Sequence, residues 1–222
     1  DGFQAFSWIN GGDPQEVLEA LRANPDLADR SATRLDAVLP ALRQALTRPE
    51  FVVPIRWSEG PNGAVPDFIL ARTLTRGLAT RARMLEEEGD LAGALELHLL
   101  NLRWSDRLAG HGPLITAMIT HSLTAIAEES ILGFVERNRL TEPELLRVLQ
   151  AVEEGRSTPQ AHLDSLDDEF SYAMRVFDGI RAGRIEELNE EWKAMLVLPG
   201  SYWDRERQIY TQAFLPGRQS TV

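Results

Sequence analysis

The side chains best suited to chemistry in this chain are four histidines: His98, His111, His121 and His162. A zinc site on a helix needs two ligands four residues apart, and no pair of these histidines has that spacing. A di-iron site in a helical bundle needs a glutamate three residues before its histidine, and none of the four has one. The chain has no cysteine, which removes thiolate zinc sites, cysteine nucleophiles and disulfides. We therefore predict no metal site and no cofactor.

Two of the histidines fall where a helical bundle could enclose a pocket. His98 lies on the packing face of a leucine-rich helix, and His121 flanks the apolar stripe of the next helix among threonines and a serine. The usual role of a histidine in such a place is structural, with its ring buried and hydrogen-bonded. We keep His98, Trp104 and His121 as candidate ligand-binding residues, and we assign no catalytic residue.

Acidic residues are numerous and occur in runs, at 86–88, 153–154, 167–169 and 186–191. Most of these runs fall on predicted outer faces or helix ends, so we expect solvated surface rather than catalytic carboxylates or a calcium site. The chain lacks a nucleophile elbow, a Walker loop and a dinucleotide fingerprint. Its net charge of −11 argues against binding to nucleic acid or to anionic membrane surfaces. These observations favour a non-enzymatic role.

The most apolar part of the chain is the segment 113–127, which contains no charged residue. It is shorter than the ~20 helical residues that span a bilayer, so we predict that the chain is not transmembrane. Its threonines, serine and histidine suit a protein interior better than lipid. We predict that it begins the central helix of a bundle, spanning 113–137. The predicted buried stripe of this helix is Ile115, Ile119, Ser122, Ile126 and Phe134.

Helical periodicity with capping signals recurs along most of the chain. Asn24-Pro25 should end the first helix, and Pro40 should kink the second or delay its start. The two-residue link Gly89-Asp90 forces its flanking helices antiparallel, and Thr141 to Glu144 form a capping box. The predicted helices are 14–23, about 32–47, 67–88, 91–109, 113–137, 141–154, 157–182, 185–196 and 201–215.

This pattern predicts an all-α fold with little or no strand, an irregular antiparallel bundle of about nine helices built from α-hairpins. The hairpin at 86–97, EEEGDLAGALEL, has partial tetratricopeptide-like character, but no 34-residue repeat accompanies it. We expect residues 1–66, with their Pro/Gly-rich irregular segment, to pack on a main bundle at 67–215. Residues 216–222 should form a flexible tail, and the whole should be one structural unit.

Small residues, a Gly-Asp turn, a leucine-rich helix and a Gly-Pro-Leu-Ile helix start follow one another in the middle of the chain. They are Ala79, Ala82, Gly89-Asp90, Ala94, Leu99 to Leu102 and Gly112 to Ile115. The pattern resembles uncharacterised, exported all-helical bacterial proteins, and the acidic and aromatic residues at 202–206 resemble them too. The resemblance implies an all-helical envelope protein and carries no catalytic residues. An exported location, including that of a lipoprotein trimmed before Asp1, is therefore expected, with a cytoplasmic location as the alternative.

The function that these features favour is non-catalytic, either structural or the binding of a protein partner. One alternative is a small-molecule binder or enzyme with a pocket between helices, near the predicted central helix. Another is an intracellular helical-repeat adaptor, which rests on the 86–97 hairpin alone. The sequence does not indicate an oligomeric state.

Overall fold

The structure is a computed structural model, and it describes residues 14–48, 68–108, 114–155, 159–183 and 199–219. These residues form eight α-helices and no strand, which confirms the all-α fold class. The helices are α1 (Pro14–Ala23), α2 (Pro25–Leu46), α3 (Phe68–Glu88), α4 (Leu91–Leu108), α5 (Leu114–Arg137), α6 (Glu142–Glu154), α7 (Pro159–Arg181) and α8 (Gly200–Gln219). The predicted helix at 185–196 and the irregular segment at 49–66 lie outside the described residues.

Helix α2 begins earlier than its sequence suggested. The side chain of Asn24 accepts a hydrogen bond from the backbone N–H of Leu27 at 3.2 Å, so Asn24 caps a helix that starts at Pro25. The same two residues thus end α1 and begin α2. Pro40 lies inside α2 with its side chain exposed, and the helix continues past it to Leu46. The prediction of a start near residue 32 was wrong, because Asn24-Pro25 is also a helix-start signal.

The last helix is longer than predicted. We expected α8 to end at residue 215 and a flexible tail to begin at Pro216. The helix instead runs on to Gln219, through the Pro216-Gly217 pair. That part of the predicted tail was wrong.

The turn between α3 and α4 has the geometry that its sequence predicts. Gly89 has a φ of +87°, which an L side chain rarely adopts, and the backbone N–H of Asp90 donates to the carbonyl of Leu85 at 2.9 Å. The Asp90 carboxylate then accepts the N–H of Gly93 at 2.9 Å and caps α4. This tight link holds α3 and α4 side by side as an antiparallel pair.

The described helices group into two compact units. The first contains α1 to α4, α6 and the part of α5 from Ile119 onward, and the second contains α7, α8 and the start of α5. Within the second unit, α7 packs on α8. Ion pairs at 3.0 and 3.1 Å join Arg181 to Asp204 and Arg207 to Asp178. This grouping differs from the division expected from the sequence, which placed 67–215 in a single bundle.

Two apolar clusters of the first unit share helix α4. The cluster between α2, α3 and α4 contains Leu35, Leu39, Leu42, Leu78, Ala82, Leu97 and Leu100. The cluster between α4, α5 and α6 contains Ala94, Leu95, Leu99, Leu102, Ala127, Ile131, Phe134, Val148 and Ala151. Because α4 is buried against both clusters, it is the central helix of this unit. The prediction that 113–137 is the central helix of the whole bundle stays a prediction, because α5 contributes residues to both units.

Helix α5 is buried along a different stripe from the predicted one. Its buried residues are Thr116, Thr120, Leu123, Ala127, Ile131 and Phe134. Of the residues predicted to be inside, Ile115 is 45% exposed and Ser122 is also exposed, whereas Phe134 is buried as expected. Apolar residues surround the first half of α5, so the hydrophobic pattern does not select a face. None of the described helices has the length and apolar character needed to cross a bilayer.

Candidate functional site

His98 lies in the interior of the first unit. Its side chain is 1% exposed, and its Nδ1 shares a hydrogen bond of 3.3 Å with the hydroxyl of Ser130 on α5. Its ring centroid lies 5.0 Å from that of Phe134. These contacts fix the ring between α4 and α5, which is the structural role that is usual for a buried histidine.

The other two candidate residues lie elsewhere. Trp104 is half-buried and packs against the cluster between α2, α3 and α4, whereas Phe134, which contacts His98, belongs to the cluster between α4, α5 and α6. His121 is exposed on α5. The structure therefore places His98, Trp104 and His121 in three different surroundings.

A charged cluster joins the end of α3 to the end of α5, and the sequence did not reveal it. The side chain of Glu86 is only 5% exposed. Its carboxylate accepts hydrogen bonds from Arg137 Nε and Nη2 at 3.0 and 3.1 Å and from Asn138 Nδ2 at 2.7 Å, and it pairs with Arg83 at 2.5 Å. Glu86 was expected to be solvated with Glu87 and Glu88. That expectation was wrong for Glu86, because Arg137 and Asn138 meet it only in the folded chain.

Burial and these contacts set the charge states of Glu86 and His98. Burial by itself would raise the pKa of Glu86, but the hydrogen bonds from Arg137, Arg83 and Asn138 outweigh it and lower the pKa to about 2. Burial lowers the pKa of His98 to about 4, and the attraction of Glu86 opposes this shift only in part. At neutral pH, Glu86 is therefore ionised and His98 is uncharged.

Ser130, His98 and Glu86 invite comparison with a serine–histidine–acid triad. In a triad one ring nitrogen contacts the serine and the other contacts the acid. Here Nδ1 contacts Ser130, whereas Nε2 is buried and has no hydrogen-bond partner in the part of the chain that the structure describes. Glu86 is instead held by Arg137 and Arg83. The arrangement therefore lacks the acid contact of a triad, and a ring that is 1% exposed has no open approach for a substrate.

A second carboxylate, that of the half-buried Asp106 on α4, lies beside the end of α6. Burial raises the pKa of Asp106 to about 6, and Glu128 and Glu154 raise it further in the same direction. The carboxylate fills the space beside Gly155, where a Cβ would lie 2.3 Å from Asp106 Oδ2. Within the described ranges, no group of three or more acidic or histidine side chains is arranged to hold a metal ion. Asp106 Oδ1 is buried and has no hydrogen-bond partner among the described residues, and the carboxylate lies against the end of α6.

Helix α6 presents leucines to solvent, a feature that the sequence analysis did not identify. The helix starts as predicted, because the Glu144 carboxylate accepts the backbone N–H and the hydroxyl of Thr141, both at 2.7 Å. Its inner face buries Val148 and Ala151. Its outer face carries Leu145, Leu146 and Leu149, which are 43%, 57% and 53% exposed. We call these three residues the leucine face.

The signal for this surface was present in the sequence. Residues 145–152, LLRVLQAV, hold more large apolar side chains than one face of a short helix can bury. Which of them lie outside depends on the side of α6 that contacts α4.

Comparison with protein-family models, with curated proteins and with solved structures finds no match to this chain.

Proposed function

We propose that this is a non-catalytic helical protein that acts by binding a partner protein, and that the leucine face of α6 is its docking surface. The observation that carries the proposal is the exposure of Leu145, Leu146 and Leu149 side by side on one helix. Contiguous exposed apolar residues with a polar rim are typical of interaction sites. Scattered single apolar residues, by contrast, need no explanation.

The buried polar groups of the first unit support a non-catalytic role. His98 is enclosed by packing, and Glu86 is held by hydrogen bonds from two arginines and an asparagine. Asp106 is packed against the backbone of Gly155. A catalytic group must reach the substrate directly or through one water molecule. Glu86 and His98 instead contact residues of a neighbouring helix, and Asp106 lies against the end of α6.

The energetics of the leucine face suit partner binding. Burying the exposed half of a leucine side chain contributes about 1 kcal/mol, so the three together would contribute about 3 kcal/mol to a complex. That is enough to define a central contact, and the remaining affinity must come from residues around it.

The test uses the full chain and a neutral helical peptide with one stripe of leucines and glutamine elsewhere. We expect this peptide to bind the wild type and to lose at least tenfold in affinity for the double variant Leu146→Gln/Leu149→Gln, measured by isothermal titration calorimetry. A matched control, Val38→Gln/Leu91→Gln, removes two exposed apolar side chains from α2 and α4 and should bind as the wild type does.

Two results would overturn the proposal. One is binding that is equal for the wild type and the leucine double variant. The other is a drop of several degrees in the melting temperature of the double variant, because exposed leucines contribute little to stability and only leucines covered by the rest of the chain would produce that loss.

The exported or envelope location is also a proposal, and it is supported only by the resemblance to exported helical proteins. Fractionation of the source cells with an antibody against this chain tests it. Recovery of the protein in the cytoplasmic fraction alone would favour the alternative location.

A further inference from the structure

We infer that the partner segment bound by the leucine face is a basic amphipathic helix. Its apolar stripe would be flanked at both ends by lysine or arginine about eleven residues apart. The inference rests on the proposed function and specifies the chemistry of its partner.

The charges that point to this partner lie on the same stripe of α6 as the leucines. Glu142 precedes Leu146 by four residues, Leu149 follows three later, and Glu153 follows after four more. Steps of four, three and four residues keep side chains on one face of a helix. Glu142 and Glu153 are both exposed. The leucine face is therefore bounded by a carboxylate at each end, roughly 16 Å apart along the helix axis.

These two carboxylates are available to a partner. Among the residues that the structure describes, neither Glu142 nor Glu153 forms an ion pair. The one cation in this part of α6, Arg147, already pairs with Glu96 on α4 at 2.6 Å. The surface thus presents an apolar centre between two exposed carboxylates. A helix laid along it gains from apolar residues in the middle and from a cation near each end.

The same charges disfavour a second copy of this chain as the occupant. Pairing two α6 helices antiparallel brings Glu142 of one copy beside Glu153 of the other, and pairing them in parallel brings like residues together. Both arrangements place carboxylates side by side. Each copy also carries a net charge of −11, which opposes association at long range. Anionic lipid surfaces are disfavoured for the same reason.

The experiment compares three peptides with an identical leucine stripe and with lysine, glutamine or glutamate at the two flanking positions. We expect the affinity of the full chain to fall in the order lysine, glutamine, glutamate. The lysine peptide should exceed the glutamine peptide by about threefold to tenfold, because two exposed ion pairs add little each. Titration calorimetry at about 0.05 M and 0.3 M salt should show the preference shrinking as salt rises.

Two variants test whether the preference for the lysine peptide arises at the ends of the leucine face. Glu142→Gln/Glu153→Gln should bind the lysine and glutamine peptides equally. The control Asp29→Asn/Glu129→Gln makes the same change in net charge at exposed positions outside α6, and it should keep the preference of the wild type. Loss of the preference in the control would show that overall charge, rather than the ends of the leucine face, selects the peptide, and would overturn the inference.

The remaining outcomes separate the inference from the proposed function. Equal binding of the lysine and glutamine peptides to the wild type overturns the basic partner and leaves the docking surface intact. Failure of all three peptides to bind overturns both. Sedimentation of the protein alone as a dimer at 0.05 M salt, abolished by Leu146→Gln/Leu149→Gln, assigns the face to a second copy. Co-sedimentation with phosphatidylcholine vesicles, abolished by the same variant, assigns it to lipid, and either result overturns the inference.

Discussion

The carboxylate of Glu86 receives donors from two helices and from the loop that follows α5. Arg83 lies one turn before it on α3, whereas Arg137 and Asn138 reach it from a distance of about fifty residues along the chain. Charge-assisted hydrogen bonds of this kind contribute more than neutral ones, and removing one member leaves the others without their counter-charge. At the scale of single residues, the carboxylate of Glu86 therefore holds the ends of α3 and α5 together.

We predict that Glu86→Gln lowers the free energy of unfolding by about 2 kcal/mol at pH 7, since it removes the charge that Arg83 and Arg137 share. Glu86 has a folded pKa of about 2 against an ordinary value of 4.5. Its contribution is therefore complete above pH 4.5 and is lost as the pH falls toward 2. Urea unfolding should therefore give a smaller difference in the free energy of unfolding between wild type and variant at pH 3 than at pH 7.

The control for this prediction is Glu88→Gln, which removes an exposed carboxylate that pairs with Arg81 at 3.2 Å. An exposed pair is worth at most ~1 kcal/mol, so this variant should remain close to wild type. Equal effects of the two substitutions would contradict the role assigned to Glu86.

The buried ring of His98 predicts a second pH dependence. Its folded pKa of about 4 lies below the ordinary value of 6.5, so the unfolded chain binds a proton that the folded chain excludes. Above pH 6.5 the ring is uncharged in both states, so its titration does not affect stability. As the pH falls from 6.5 to 4, protonation of His98 in the unfolded chain lowers the free energy of unfolding by up to about 3 kcal/mol. His98→Leu removes this component, so its stability should decline less over that range in urea titrations. Parallel profiles for wild type and variant would contradict the prediction.

At the scale of elements, the contact between α4 and α6 depends on the small size of Gly155. This glycine has an ordinary helical φ of −80°, so its backbone does not require glycine. The carboxylate of Asp106 occupies the space that a side chain would fill. We predict that Gly155→Ala destabilises the protein by about 1–3 kcal/mol, because the added methyl group must displace that carboxylate.

A second substitution tests the cause. In an Asp106→Ala background the space is free, and Gly155→Ala should then cost less than about 0.5 kcal/mol or even stabilise the end of α6. Thermal unfolding of the four proteins in this cycle gives the coupling between the two residues. Additive effects would show that the methyl group and the carboxylate do not compete for one space.

The helices themselves illustrate which features local sequence signals predict. Capping residues placed the turn at Gly89-Asp90 and the start of α6 correctly, since these signals act over three or four residues. The same signals were misjudged at Asn24-Pro25, where one pair of residues serves two helices. The buried face of α5 was missed, because a helix with apolar residues on all sides takes its orientation from its neighbours.

At the scale of the whole molecule, the chain has 34 acidic and 23 basic residues, and this negative excess opposes compactness. Like charges repel across a folded surface, and salt screens that repulsion with a Debye length of ~10 Å at 0.1 M. We predict that raising sodium chloride from about 0.01 to 0.3 M increases the melting temperature by about 2 °C, measured by circular dichroism. A decrease would show that the surface ion pairs, such as Arg147–Glu96, outweigh the overall repulsion.

The sequence by itself determined the all-α class, the bounds of most helices and the lack of a metal motif, because periodicity, caps and ligand spacing are local properties. It also placed His98 correctly on a packing face. Only the tertiary structure decided that α4 is shared by two apolar clusters of the first unit, that the side chain of Glu86 is buried, and that three leucines of α6 are exposed. The physical reason is the same in each case. Burial and charge pairing depend on side chains that are distant in sequence, and α4 had to be packed against α6 before the leucine face existed as a surface.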